Sequence, residues 1–172
     1  NKFGNFVHRT LTFLVKNWES GLSAQSFSAI SNHLQLETIR SYHQKIISAV
    51  DHFQLTRAHA ELILFAQAAN EFFHSEQPWK KIKTDRNGTE QTIAMSVVYI
   101  LSMGVLLKPF VPKLSAKILD YFKGYVTDQS VASIYQGNFD LLLTLFQSQG
   151  FKPTSEPKVL IPRIDSKVLE TL

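Results

Sequence analysis

The sequence predicts an all-α protein, a bundle of about five main helices followed by an extended C-terminal tail. Apolar residues recur at three- and four-residue intervals in several long stretches, the spacing that lines one face of a helix. No stretch alternates apolar and polar residues convincingly enough for a strand, and proline-marked corners separate the long periodic runs.

The first helix covers residues 3–15, with Phe3, Phe6, Val7, Leu11, Phe13 and Leu14 as its apolar positions. Asn5 and Arg9 share its polar side, which Thr12 and Lys16 continue, because residues four apart stand one turn above each other. Residues 17–32 are polar and rich in Ser and Gly, as a surface connection would be. A second helix follows over residues 36–53, its core face Leu36, Ile39, Ile46, Ile47, Val50 and Phe53. Thr56, with Glu61 nearby, is an imperfect start for a third helix running to about residue 74. Its alanines at 58, 60, 66, 68 and 69 allow close approach of a neighbour and place it centrally.

Gln77-Pro78 ends or sharply bends the chain, since the residue before proline disfavours helical dihedrals. Trp79 and residues 80–83 form a short basic segment, and residues 85–88 a turn. Asn87-Gly88-Thr89 matches a glycosylation sequon by letter, but Asn-Gly reads here as part of that turn. Thr89 or Thr92 caps a fourth helix whose apolar run covers residues 93–107. That run is short for a bilayer, which needs about 20 apolar residues, so it reads as a buried core helix. After the corner Lys108-Pro109-Phe110-Val111-Pro112 a fifth helix spans residues 112–122 and stops at Gly124. Residues 128–136 and 139–147 form two shorter apolar helices or turns. From Gly150 the prolines at 153, 157 and 162 disfavour helix. The bundle is therefore assigned to residues 1–149 and the tail to 150–172, whose apolar residues suit it to packing on a neighbouring surface.

The 172 residues suffice for one domain with a real core. A net charge of +4 permits an anionic partner without requiring one. With no cysteine, disulfides, thiolate metal sites and cysteine nucleophiles are excluded, and an intracellular origin is favoured. The start has no initiator methionine and no signal-peptide pattern, pointing to a piece of a longer protein. Phosphate-binding glycine loops, dinucleotide fingerprints and nucleophile elbows are missing. The histidines at 8, 33, 43, 52, 59 and 74 contain no pair four apart, and read as surface or capping groups. No carboxylate pair offers acid/base chemistry.

Two stretches hold chemistry. Trp79 sits at the Pro78 corner beside Lys80, Lys81 and Lys83, an aromatic face next to positive charge, as single-stranded nucleic acid requires. The same tryptophan also fits an ordinary core anchor. Asn5 and Arg9 offer donors suited to base edges, and equally fit a plain solvated face. Trp18, beside Glu19 and Ser20, has no basic company and is assigned to packing.

Four segments in order, Asn1-Lys2-Phe3-Gly4-Asn5-Phe6-Val7-His8-Arg9, Ala69-Asn70-Glu71-Phe72-Phe73 leading to Pro78-Trp79-Lys80, Leu107-Lys108-Pro109-Phe110-Val111-Pro112 and Leu160-Ile161-Pro162-Arg163-Ile164-Asp165, resemble the C-terminal part of methionyl-tRNA synthetases. The start is most similar to cytosolic eukaryotic-type members. The resemblance implies a helical anticodon-binding domain of the class I type, with methionine tRNA as partner and a cytoplasmic location. It implies that Trp79 stacks on the first anticodon base, a cytosine, and that Asn5 and Arg9 hydrogen-bond to the bases that follow. Pro78 positions the tryptophan, Asn70 braces the corner, and Lys80, Lys81 and Lys83 contact phosphates. The family's nucleotide-binding motifs are absent, so catalytic and metal residues are expected to be none in this chain, with ATP and methionine handled by a separate catalytic domain. That catalytic domain is the second expected partner, and the tail is expected to pack back on the bundle or on that domain; neither DNA nor a membrane is expected. Competing readings are the same bundle from an isoleucine, valine or leucine enzyme, and a helical protein-interaction domain with Trp79 in an apolar interface.

Overall fold

A computed structural model describes residues 2–161. The fold is organised around α6 (Arg86–Leu106), which is apolar on every side from Thr92 onward and is buried on every side as a result. The helix is long and apolar enough to cross a membrane, yet its surface is covered by its neighbours within the fold. On one flank lie α1 (Lys2–Asn17), α3 (Leu34–Asp51), α4 (Leu55–Glu76) and the single turn α5 (Pro78–Lys81). Also against α6 lie α2 (Ala24–Ala29), α7 (Pro112–Leu119), α8 (Asp128–Tyr135) and α9 (Asp140–Gln147). Among the described residues there is no strand beyond two isolated bridges, so the all-α expectation stands.

The two stretches left open as helices or turns are the helices α8 and α9. The fifth helix ends at Leu119 and passes through a 3-10 turn, Asp120–Phe122, where the sequence suggested one continuous helix. Several other expectations are corrected. The third predicted helix, α4, flanks the centre instead of occupying it: Ala58, Ala66 and Ala69 are buried, but Ala60 and Leu64 face solvent. An alanine-rich stripe gives close approach on one side only, whereas α6 is apolar all round.

Residues 17–32 are more than a surface connection. Ser23 caps α2 by accepting from the Ser26 amide, and Leu22, Phe27 and Ile30 enter the core. A six-residue helix is too short to show periodicity. Phe53, expected in the core, is 90% exposed: α3 has already ended at Asp51, and Phe53 turns outward in a left-handed backbone conformation at φ 57°.

The fourth helix starts a full turn earlier than Thr89 or Thr92, and the expected turn at residues 85–88 is its first turn. Asp85 is the cap, its carboxylate accepting from the Gly88 amide at 2.8 Å. The absence of a side chain at Gly88 makes this possible, since a Cβ there would lie 2.1 Å from Asp85 Oδ2. Thr89 and Thr92 instead donate backward to the carbonyls of Asp85 and Gly88, the habit of hydroxyls inside a helix. Asp85→Ala is expected to cost about 1 kcal/mol, read as a lower urea midpoint with an unchanged slope.

Trp18 packs as expected, but not without basic company. Its Nε1 donates to Glu90 Oε2 at 3.3 Å, and the Arg86 guanidinium lies 5.0 Å from its ring. The chain after Gly150 is extended and docks on the bundle. Gly150 adopts φ +73°, and a Cβ there would fall 2.1 Å from the Leu22 carbonyl. Phe151 and Leu22 exchange two backbone hydrogen bonds, at 2.8 and 2.9 Å. Tyr125 and Tyr121 accept from the amides of Lys152 and Lys158, both at 2.9 Å. The segment Pro162-Arg163-Ile164-Asp165 lies outside the described residues.

Candidate nucleic-acid interface

Helix α1 sorts its side chains by phase. Phe6, Val7, Thr10, Leu11 and Leu14 are buried, which leaves Asn5, Arg9, Thr12 and Lys16 on the exposed side. Arg9 is nevertheless not a freely moving surface group. Its Nη2 donates to Asn70 Oδ1 at 3.0 Å, and its guanidinium carbon sits 4.7 Å from the centre of the Phe73 ring. Partial desolvation in this seat lowers the Arg9 pKa from its ordinary value, but an arginine in a protein keeps its charge. Asn70 Nδ2 donates to the Ala66 carbonyl at 2.7 Å, so the amide is oriented by its own helix. Asn70 thus braces Arg9.

That corner is built by local chain chemistry. Gln77 leaves α4 in a left-handed conformation, φ 45° and ψ 54°, outside the right-handed helical region that a following proline disfavours. Pro78 is buried and occupies the first position of α5, where its missing amide hydrogen goes unneeded. Trp79 follows at once and is 40% exposed. One side of its ring rests on the protein, 6.0 Å from Phe73 and 5.9 Å from His74. The rest is open.

The two stretches singled out in the sequence therefore meet. Phe73, only 1% exposed, carries the Arg9 guanidinium and touches Trp79. The sequence pointed to neither Phe73 nor His74 as part of this site, His74 reading only as a surface or capping group. The available signal was helical phase: Asn70, Phe73 and His74 are three and four apart on α4, so the residue that braces Arg9 shares a face with the two rings under Trp79. Lys80, Lys81 and Lys83 are exposed. Lys81 is engaged by Glu76, Nζ to Oε2 2.7 Å. Lys80 and Lys83 form no ion pair among the described residues. Among the described residues no three His, Cys, Asp or Glu side chains cluster as a metal site.

Of the six histidines, His33 does cap a helix, its Nδ1 accepting from the Gln35 amide at 3.1 Å. His43 departs from the surface expectation: it is 1% exposed, packed edge-on to Phe139 with ring centres 4.4 Å apart.

Residues 22–168 match the family profile described as the anticodon binding domain of methionyl tRNA ligase. The chain belongs to that family. A methionine–tRNA ligase of Pyrococcus horikoshii is 30% identical over 118 residues, covering 69% of this chain and 16% of that protein. One from Methanosphaerula palustris is 28% identical over 174 residues, covering 96% of this chain and 25% of the relative. In three dimensions the fold is similar to the apo crystal structure of Mycobacterium tuberculosis methionyl-tRNA synthetase, with a TM-score of 0.72 at 21% identity, covering 96% of this chain and 32% of the other. The chain thus spans less than a third of each protein. Family membership displaces the readings as an isoleucine, valine or leucine enzyme's bundle and as a generic protein-interaction domain.

Proposed function

We propose that this methionyl-tRNA ligase anticodon-binding domain reads the CAU loop of methionine tRNA. In this reading Trp79 is the stacking platform for the cytosine, and Asn5 and Arg9 read the edges of the bases that follow. The observation that carries it is the shared seat: Arg9 and Trp79 both contact Phe73, at 4.7 and 6.0 Å, close enough for consecutive bases of one loop. Bases splayed from a loop expose a flat face and an unpaired edge, and the surface offers an aromatic plane beside fixed donors. Pro78 sets the tryptophan's place and Asn70 that of Arg9. Lys80 and Lys83 contact phosphates, with Lys81 joining them if it exchanges Glu76 for RNA. The reading places ATP and methionine in a catalytic domain outside this chain, works in the cytoplasm, and uses neither DNA nor membrane. The tail, docked on the bundle over residues 150–161, packs against that catalytic domain in this reading.

The test is titration of the chain with anticodon stem-loops. The CAU loop is expected to bind best, and Arg9→Ala to erase about tenfold of its advantage over loops changed at the second or third base, as loss of a charge-assisted hydrogen bond does. Equal affinity for all loops would defeat the reading. Lys80→Ala and Lys83→Ala should weaken all loops alike, each flattening the log–log salt dependence by about 0.7.

A further inference from the structure

We infer that Phe73 is a positioning residue that couples the tryptophan platform to the arginine reader, so that discrimination at the first anticodon base and at the following bases depends on one buried ring. The inference rests on the proposed reading of the site. Phe73 lies in α4 with its ring closed off from solvent. On the inner side it meets Phe6 edge-on, 6.1 Å between centres at 87°, and Phe6 in turn meets Tyr99 of the central helix at 6.4 Å. Its plane is therefore set by the core. On the outer side it bears two contacts from different parts of the chain, Arg9 of α1 and Trp79 of α5.

A guanidinium over an aromatic face is held electrostatically by the ring. Together with the bond from Arg9 to Asn70, this orders a long side chain before any base arrives, so less freedom is lost on binding. The same ring limits where the Trp79 indole can settle. Phe72, the adjacent residue, is buried too, but its ring contacts are with His33 and Tyr99. It fills the core without touching either reader, and so supplies a control.

The experiment measures the binding of CAU stem-loops, and of loops altered at the first or the second base, to the chain carrying Phe73→Leu or Phe72→Leu. Phe73→Leu is expected to lower discrimination at both base positions by roughly fivefold, while Phe72→Leu lowers thermal stability comparably and leaves discrimination intact. Combining Phe73→Leu with Arg9→Ala, and separately with Trp79→Ala, should cost less than the sum of the single effects, as for groups that act through each other. Phe73→Met, which fills the core with an adaptable side chain, provides the same comparison if the leucine variant does not fold. Discrimination retained in the Phe73 variants, or lost equally in Phe72→Leu, overturns the coupling while the reading of the site stands. If Arg9→Ala and Trp79→Ala themselves leave discrimination unchanged, the reading falls and the coupling with it.

Discussion

Trp79→Ala is expected to weaken binding of a CAU stem-loop tenfold to about a hundredfold while leaving its salt dependence unchanged. Alanine replacement of a stacking aromatic costs roughly 1–3 kcal/mol per base, and the indole here carries no charge whose removal would release fewer counterions. The stability cost should be small, because the ring is 40% exposed and rests on Phe73 and His74 instead of filling the core. Trp79→Phe keeps a smaller face at the same corner and should fall between the two. The measurement is affinity at several salt concentrations, paired with a thermal melt of each variant. Unchanged affinity in Trp79→Ala would remove the platform from the site, and a flattened salt slope would show that the change had disturbed the neighbouring lysines instead.

What the sequence revealed follows from how local each signal is. The central helix was legible because an apolar run over residues 93–107, short for a bilayer, suits burial on all sides. Its start was not, because Asp85 competed with an Asn-Gly pair that ordinarily signals a turn; the deciding contact, a carboxylate closing on the Gly88 amide, is a matter of geometry. The short α2 left no periodic trace. Its Phe27 is buried against Phe146, 4.8 Å away and more than a hundred residues later in the chain. Phe53 shows the converse: it kept the helical spacing, but the helix had already ended.

The candidate site divides along the same line. Asn5, Arg9 and Trp79 could be chosen by residue type and by the proline corner. Their meeting depends on α1 packing on α4, which Phe6 and Phe73 determine by filling the space between the helices. Nor could Phe73 be told from Phe72 by composition. One residue along a helix is a rotation of about 100 degrees, and that rotation decides which phenylalanine faces Tyr99 and which lies under Arg9 and Trp79.

A phase argument also explains the buried histidine, whose lowered pKa gives an expected loss of roughly 2–3 kcal/mol of stability on acidification from pH 7.5 to 4.5. His43 falls on the face of α3 that carries Ile39 and Ile46, and burial pushes its pKa down from 6.5 to about 4. Its Nε2 has no hydrogen-bond partner among the described residues, so no acceptor stands ready for a proton there. Arg40, whose guanidinium lies 5.8 Å from the Phe139 ring, adds positive charge nearby; Asp51 and His52 line the same surface hollow. The folded-state value lies below the unfolded one, so the unfolded chain binds more protons between pH 4 and 6.5. Stability from this group is therefore complete above pH 6.5 and drains away as the pH falls toward 4. His43→Leu removes the titration and keeps the apolar contact with Phe139, so its urea midpoint should fall much less over the same range. Parallel pH profiles for the two proteins would place the acid sensitivity elsewhere, and a steeper one in His43→Leu would show that the imidazole had been protective in its protonated form.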